Sequence, residues 1–283
     1  MRTELELVAR IGKRAAALSG PQLVEGIGDD CAIFRPNPRE DLVFTTDFLI
    51  EDVHFRRDTH SAEDIGHKTL ARGLSDIAAM GAEPRFALLS LALAPWVDDA
   101  WVDRFYTGFL KLARKWKTAL AGGDLSHTGK VTCDIVVCGA VPRGKALRRD
   151  GARPGDAIWV SGPLGKPWQK HPRPKPRIDA GLAVRDIATS AMDLTDGIAL
   201  DLHRLCKASR VSADLSKIPV VRGSTLEQAL YGGEDYELLF TAPVGAEAPR
   251  GCHRIGVIAG GPAGEVRLKR AVLPARGYDH FRL

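Results

Sequence analysis

Carboxylates set in short glycine-punctuated turns constrain this sequence more than any other feature. Gly26-Ile27-Gly28-Asp29-Asp30 precedes a strand-like run, Thr45-Thr46-Asp47 ends one, and Gly122-Gly123-Asp124 lies between two. Asp193-Leu194-Thr195-Asp196-Gly197 stands where a strand passes into a helix, and Asp76 projects from a helical run in Leu74-Ser75-Asp76. Taken singly, such an aspartate is an ordinary N-cap or Asx-turn. Taken together they form a set of acids that repel one another and titrate high unless cations neutralise them.

The intervening runs alternate in type. Thr3 with Glu6 forms a capping box ahead of an apolar face at Leu7, Val8, Ile11, Ala15 and Leu18. Strands are expected at 31–34, 42–46, 86–93, 118–121 and 131–141. Helices are expected from Ser61, capped by Asp64, to Met80, and over 98–117. A second series follows: a strand at 157–160, helices over 180–189 and 197–208, and late strands at 237–241 and 266–269. This pattern predicts an α/β (α+β) fold in two domains, 1–145 and 146–283. The segment 163–177 contains Pro163, Pro167, Pro172, Pro174 and Pro176, so it is expected to be an exposed, extended loop.

Composition removes several classes. With 283 residues, 45% of them hydrophobic, the chain can bury a real core. The longest apolar run, 86–96, is too short to span a membrane, and the charged start lacks a signal peptide's apolar stretch, so a cytoplasmic protein is expected. Five cysteines without a CxxC pair suggest reduced thiols rather than disulfides or structural zinc. The net charge of +5 raises the question of nucleic acid. However, Lys166, Lys170, Arg173, Lys175 and Arg177 account for all of it, and no nucleic-acid partner is expected.

The acids instead call for a hard cation. Mg²⁺ prefers carboxylate, hydroxyl and water oxygens and commonly shares them with substrate phosphates. Thr45, Thr46 and Thr195 add hydroxyls, and the eight histidines are scattered without HxxxH spacing. A nucleotide would have to arrive with its metal ions: Gly162-Pro163-Leu164-Gly165-Lys166-Pro167 is no P-loop, and no protein-kinase HRD or DFG sequence is present.

The ordered blocks Gly26–Asp30, Thr45-Thr46-Asp47 with Val53-His54-Phe55, Ser75-Asp76-Ile77-Ala78-Ala79-Met80-Gly81-Ala82, Gly122-Gly123-Asp124, Asp193–Gly197, Gly232-Gly233-Glu234-Asp235-Tyr236-Glu237-Leu238 and Gly277-Tyr278-Asp279-His280-Phe281 closely resemble the thiamine-monophosphate kinase family. The resemblance covers nearly the whole chain. It implies the two-domain fold of the aminoimidazole ribonucleotide synthetase-like superfamily and ATP-dependent phosphorylation of thiamine monophosphate to thiamine diphosphate. It also implies a homodimer paired through N-terminal sheets, each C-terminal domain packing as an α/β layer. Carried over by position, Asp30, Thr45, Thr46, Asp47, Asp76, Asp124, Asp193 and Asp196 match magnesium ligands. Tyr106, Gly123, Asp124, Arg149 and Thr195 match ATP contacts, and His54, Glu234 and Tyr278 match contacts to the substrate. Taken by themselves, His54 reads as a structural histidine and Tyr278 as C-terminal packing, Tyr106 suits a core role equally well, and Glu234 reads as a cap at the strand entry.

Two departures from the family stand out. After Gly165 the usual helix is replaced by the basic, proline-rich segment, and the stretch between Val211 and Tyr231 is short. Related selenophosphate synthetases and hydrogenase-maturation proteins would be expected to carry a reactive cysteine near the N-terminus or a cysteine at the C-terminus. Here none precedes Cys31 and the chain closes on Phe281-Arg282-Leu283. A reading from a different class is a non-catalytic nucleotide- or nucleic-acid-binding protein using the basic segment, but a charge run is usually a solvated surface.

Overall fold

Leu7, Ile11 and Ala15 recur at helical spacing and form the buried face of α1 (Glu4–Ala15), which ends in a tight 3-10 turn at Ala16–Leu18. The computed structural model describes residues 4–27, 31–166 and 172–278. The Thr3 half of the expected capping box lies outside them. Two units are distinguished. The first takes in the described residues of Met1–Ile77, Glu83–Arg143 and Pro172–Pro174, and the second those of Ala78–Ala82, Gly144–His171 and Lys175–Leu283.

The first unit is built on a four-stranded sheet. After the small hairpin β1 (Leu23–Glu25) and β2 (Ile33–Phe34) come β3 (Glu40–Ile50), α2 (Ala62–Ala79), β4 (Glu83–Leu93), α3 (Asp99–Lys115), β5 (Ala119–His127) and β6 (Thr132–Pro142). The sheet order is β3-β6-β4-β5, antiparallel except for the β4–β5 pair that α3 connects. Leu70, Leu74 and Ile77 of α2 and Phe105, Phe109 and Leu112 of α3 are buried, as amphipathic crossover helices require. The α2 cap forms as expected: the Ser61 amide donates to Asp64 Oδ2 at 3.0 Å, and the Asp64 amide to Ser61 Oγ at 3.2 Å.

Two strands are longer than the sequence suggests, and this changes where the acids sit. β3 runs on to Ile50, so Thr45-Thr46-Asp47 lies within a strand rather than at its end. β5 runs through Gly122-Gly123-Asp124 to His127, so that motif is strand as well.

The second unit is a seven-stranded sheet in the order β13-β12-β9-β11-β7-β10-β8. Its strands are β7 (Ala157–Val160), β8 (Ser190–Leu194), β9 (Ser212–Leu215), β10 (Glu237–Ala242), β11 (His253–Ala259), β12 (Val266–Leu268) and β13 (Ala271–Val272). Its helices are α4 (Ile178–Val184), α5 (Ile198–Ser209) and α6 (Leu226–Tyr231). Period-2 alternation assigns the strand residues to two cores. Leu239, Ala213, Leu215 and Val266 pack with Ile198, Leu202 and Leu205 of α5 and Ala229 of α6. Leu238 and Phe240 pack with Val184 of α4, where Trp159 stacks on Phe240 at 6.3 Å. Strands β9 and β11 and helix α6 are not expected from the sequence; α6, at six residues, is shorter than two helical turns.

The proline-rich segment is not the exposed loop expected of it. No helix is present among its described residues, in keeping with its prolines, yet Pro174 and Pro176 are buried. In the first unit, His67 Nε2 lies 2.8 Å from the Pro174 carbonyl, and Arg173 reaches Asp64 and, at 3.4 Å, Glu63. Proline forbids ladder hydrogen bonding but leaves an apolar ring and a good carbonyl acceptor, and both are used here.

Candidate active site

In the first unit, β3 presents its motif to two opposite faces. Thr45 and Asp47 point toward α2, whose Asp76 accepts a hydrogen bond from the Thr45 hydroxyl and whose Arg72 Nη2 lies 2.9 Å from Asp47 Oδ1. Thr46 points the other way, and its hydroxyl donates to Asp134 Oδ1 of β6 at 2.7 Å. The pleat therefore separates Thr46 from Thr45 and Asp47. Asp124 stands in register with Ser90, which is itself in register with Asp134, so it shares the Thr46 face.

Asp124 owes its position to the glycine before it. A Cβ on Gly123 would lie 1.9 Å from the Leu89 carbonyl oxygen, so only glycine lets β5 approach β4 this closely. Gly123→Ala is expected to push β5 outward, take Asp124 with it and lower kcat/KM at least about tenfold, about 1.4 kcal/mol. Steady-state kinetics on the purified variant checks this; unchanged kinetics would show that the approach is not needed.

His54 follows β3 in a tight turn. Its Nδ1 accepts the Ile50 amide at 3.0 Å, which places the proton of the neutral ring on Nε2, and its carbonyl accepts from the buried Lys68 Nζ at 2.8 Å. Tyr106 is buried on α3 against Phe105 and Phe109, with ring centroids 5.3 and 6.4 Å away. Burial, with a smaller contribution from Cys133, drives its phenol above the ordinary value. Asp30 lies outside the described residues.

In the second unit, Asp193 is the penultimate residue of β8, and the turn Thr195-Asp196-Gly197 opens α5. The backbone gathers two more candidates there. The Glu234 amide donates to the Thr195 carbonyl at 2.6 Å and the Tyr278 amide to the Asp196 carbonyl at 3.0 Å. Arg149 is not among them. It is exposed, and its carbonyl accepts from Ser209 Oγ at the C-terminal end of α5, far from the turn.

Sequence reading missed the group that shapes this turn. Asp201, fully buried in the first turn of α5, accepts the Thr195 and Asp196 amides at 3.1 and 3.0 Å, and Arg204 pairs with both Asp201 and Asp196. Burial pushes the Asp201 carboxyl up to about 6. An acid five residues past Asp196, at a helix start, is the signal that could have revealed it. Arg72 and Asp134 were also overlooked.

A neighbouring buried set ties the glycine turn 161–165 to the Glu234 loop. Asp235 Oδ1 accepts the Gly165 and Lys166 amides at 2.8 and 3.1 Å, and burial pushes its carboxyl up to about 7. Glu237 is completely buried. It meets Lys166 Nζ at 2.9 Å, Ser161 Oγ at 2.7 Å and the Arg177 guanidinium.

Among the described residues, no three His, Cys, Asp or Glu side chains are gathered into a ready-made metal cage. The donor set still fits magnesium, because the candidate ligands are all carboxylates and hydroxyls. Mg²⁺ typically keeps several waters and takes only one or two carboxylates beside substrate phosphates.

Mixed sheets carrying oxygen-only acidic residues on strand, helix and turn are arranged in an AIR synthase-like fold. Residues 28–141 match the family described as AIR synthase related protein, N-terminal domain. The chain belongs to the thiamine-monophosphate kinase family. It is 38% identical over 272 residues to the thiamine-monophosphate kinase of Salmonella typhimurium LT2, covering 85% of this chain and 82% of that one. The solved thiamine-monophosphate kinase of Stenotrophomonas maltophilia K279a superposes with a TM-score of 0.84 at 35% identity, covering 96% of this chain and 98% of that one. A structure of AaThiL complexed with AMPPCP and TMP gives 0.81 at 31% identity, with 99% of each chain covered.

Proposed function

We propose that the chain transfers the γ-phosphate of ATP to thiamine monophosphate, giving thiamine diphosphate and ADP, with magnesium ions at the acidic positions. Likeness across 99% of both chains to a relative solved with AMPPCP and TMP is the observation that carries this reading. A phosphate monoester is already an anionic nucleophile at neutral pH, so no general base is required. Two polyanions must instead be brought together in line, and charge neutralisation dominates the barrier.

Asp30, Thr45, Thr46, Asp47, Asp76, Asp124, Asp193 and Asp196 are the proposed magnesium ligands. When bound, the ions supply charge neutralisation and orient the attacking and leaving oxygens. The chain's own residues prepare that site. Arg72 holds Asp47 and Thr45 orients Asp76, while Asp201 fixes the turn that presents Thr195 and Asp196. Tyr106, Gly123, Asp124, Arg149 and Thr195 are assigned to the nucleotide, Arg149 as a clamp on phosphate charge. His54, Glu234 and Tyr278 are assigned to thiamine monophosphate, with the Glu234 carboxylate complementing the quaternary nitrogen.

The first domain, 1–145, is read as the ATP- and magnesium-binding and dimerisation domain, and 146–283 as the α/β domain. A homodimer through the N-terminal sheets is supported by β3, an eleven-residue edge strand with Phe44 and Phe48 exposed beside Thr46. A cytoplasmic location is proposed; no helix among the described residues is long and apolar enough to cross a membrane. Incubation with ATP, Mg²⁺ and thiamine monophosphate should yield thiamine diphosphate in a coupled assay. Absence of product at high enzyme concentration would overturn the assignment.

A further inference from the structure

The sheet of the second unit carries a basic concavity on strands at the opposite side of the sheet from β8. Alternation sends Ala213, Leu215 and Val266 into the core beneath α5 and α6, and turns Asp214 and Arg267 to the opposite face. There an open hollow of about 880 Å³ is lined by Lys217, Arg254, Arg267, Lys269 and Arg270, with Asp214 as its acid. The volume falls in the range of small-molecule sites, roughly 300–1,000 Å³. It lies on β9, β11 and β12, whereas the Thr195–Gly197 turn follows β8 at the other edge of the sheet. Three strand spacings separate β11 from β8, about 14 Å.

The charges in this hollow are arranged unlike an ordinary solvated surface. Arg267 is neutralised by Asp214 at 3.4 Å and by Glu265. Lys217, Arg254, Lys269 and Arg270 have no carboxylate partner among the described residues, so four like charges converge on one concave surface. Such convergence raises the local potential and favours an anion. The β12–β13 hairpin adds a second peculiarity. Its two turn residues, Lys269 and Arg270, both adopt positive φ, 51° and 75°, a conformation for which Asn-Gly is the usual choice. The chain therefore holds two long cations in an unfavourable backbone conformation at the rim of the hollow. No aromatic ring among the described residues lines it.

We propose that this concavity binds a chain of linked phosphates, recognised by its charge and independently of what the chain is attached to. The ligand is inorganic polyphosphate or the phosphate tail of a nucleotide or of thiamine diphosphate, and within the second unit the site is separate from the Thr195–Gly197 turn.

Isothermal titration of the full chain in EDTA tests this. Without divalent metal, the acids assigned to catalysis repel phosphate, while the basic hollow needs no metal. Tripolyphosphate is expected to bind wild-type protein, with affinity falling as salt rises. The Lys217→Ala/Arg254→Ala double variant should bind at least tenfold more weakly and keep wild-type kcat and KM for the kinase reaction. Arg254→Gln alone should weaken binding at least threefold, which guards against a double variant that folds poorly. ATP and thiamine diphosphate, titrated in parallel, should follow the number of phosphates. No binding of tripolyphosphate, equal affinity in the variants, or binding of ATP with none of tripolyphosphate would each overturn the proposal. Because the readout is metal-free binding, its failure is distinguishable from failure of the kinase assignment.

Discussion

Asp47→Asn lowers turnover at least about tenfold, about 1.4 kcal/mol of transition-state stabilisation. The substitution keeps the side-chain shape and removes one negative charge from the proposed magnesium ligands. It also leaves the Arg72 guanidinium, now 2.9 Å from Asp47 Oδ1, facing a neutral amide. Both changes make the pocket more positive, so ATP stripped of metal is opposed less while the metal itself is held less well. The apparent Mg²⁺ requirement should rise together with the fall in kcat. Because the pair is partly solvent-exposed, thermal stability should change by no more than about 1 kcal/mol, which separates a site effect from unfolding. Wild-type rates at limiting Mg²⁺ would remove Asp47 from the metal set.

Glu237→Gln costs about 3 kcal/mol of folding stability, because one buried carboxylate neutralises two cations. Removing one partner of a buried ion pair typically costs 3–5 kcal/mol, and the part exposure of Lys166 and Arg177 places this case at the lower end. Burial raises the Glu237 carboxyl, but hydrogen bonding and charge from Arg177, with Lys166 and Ser161, outweigh it and bring it below its ordinary value of 4.5. A depressed folded-state value means that the native state holds the proton less tightly than the unfolded chain. Stability from this group is therefore complete above about pH 4.5 and is lost as pH falls through the lower folded-state value. Thermal melts from pH 7 to 3 should show a steeper acid decline in wild type than in Glu237→Gln. Parallel curves would show that Glu237 is not the group responsible.

How much of this was legible in the sequence follows from the range of each interaction. The capping box at Ser61 and Asp64 spans four residues, and the strand-to-helix junction at Asp193–Gly197 spans five, so both could be read directly. Asp201 lies only four residues past Gly197 but looks like any helical acid until its carboxylate is seen accepting two amides. The partners of Glu237 are 71 and 60 residues away, at Lys166 and Arg177, and no local pattern connects them. Thr45-Thr46-Asp47 is expected at the end of a strand; because β3 continues to Ile50, the Thr46 side chain alternates to the other face from Thr45 and Asp47.

The sequence by itself determined the chemistry: aspartates and threonines without competing nitrogen or sulfur ligands, the order of the motifs, and the alternation of strand and helix. These depend on residue type and spacing of a few positions. Tertiary structure alone decided which charges are compensated. The five cations that make up the net charge looked like one solvated loop, yet Lys166 and Arg177 neutralise a buried carboxylate and Arg173 engages the first turn of α2. Meanwhile four cations from separate parts of the second unit converge unpaired, among the described residues, on a hollow that no run of sequence announces. Electrostatic energy depends on distance and burial, and both are set by the fold rather than by position along the chain.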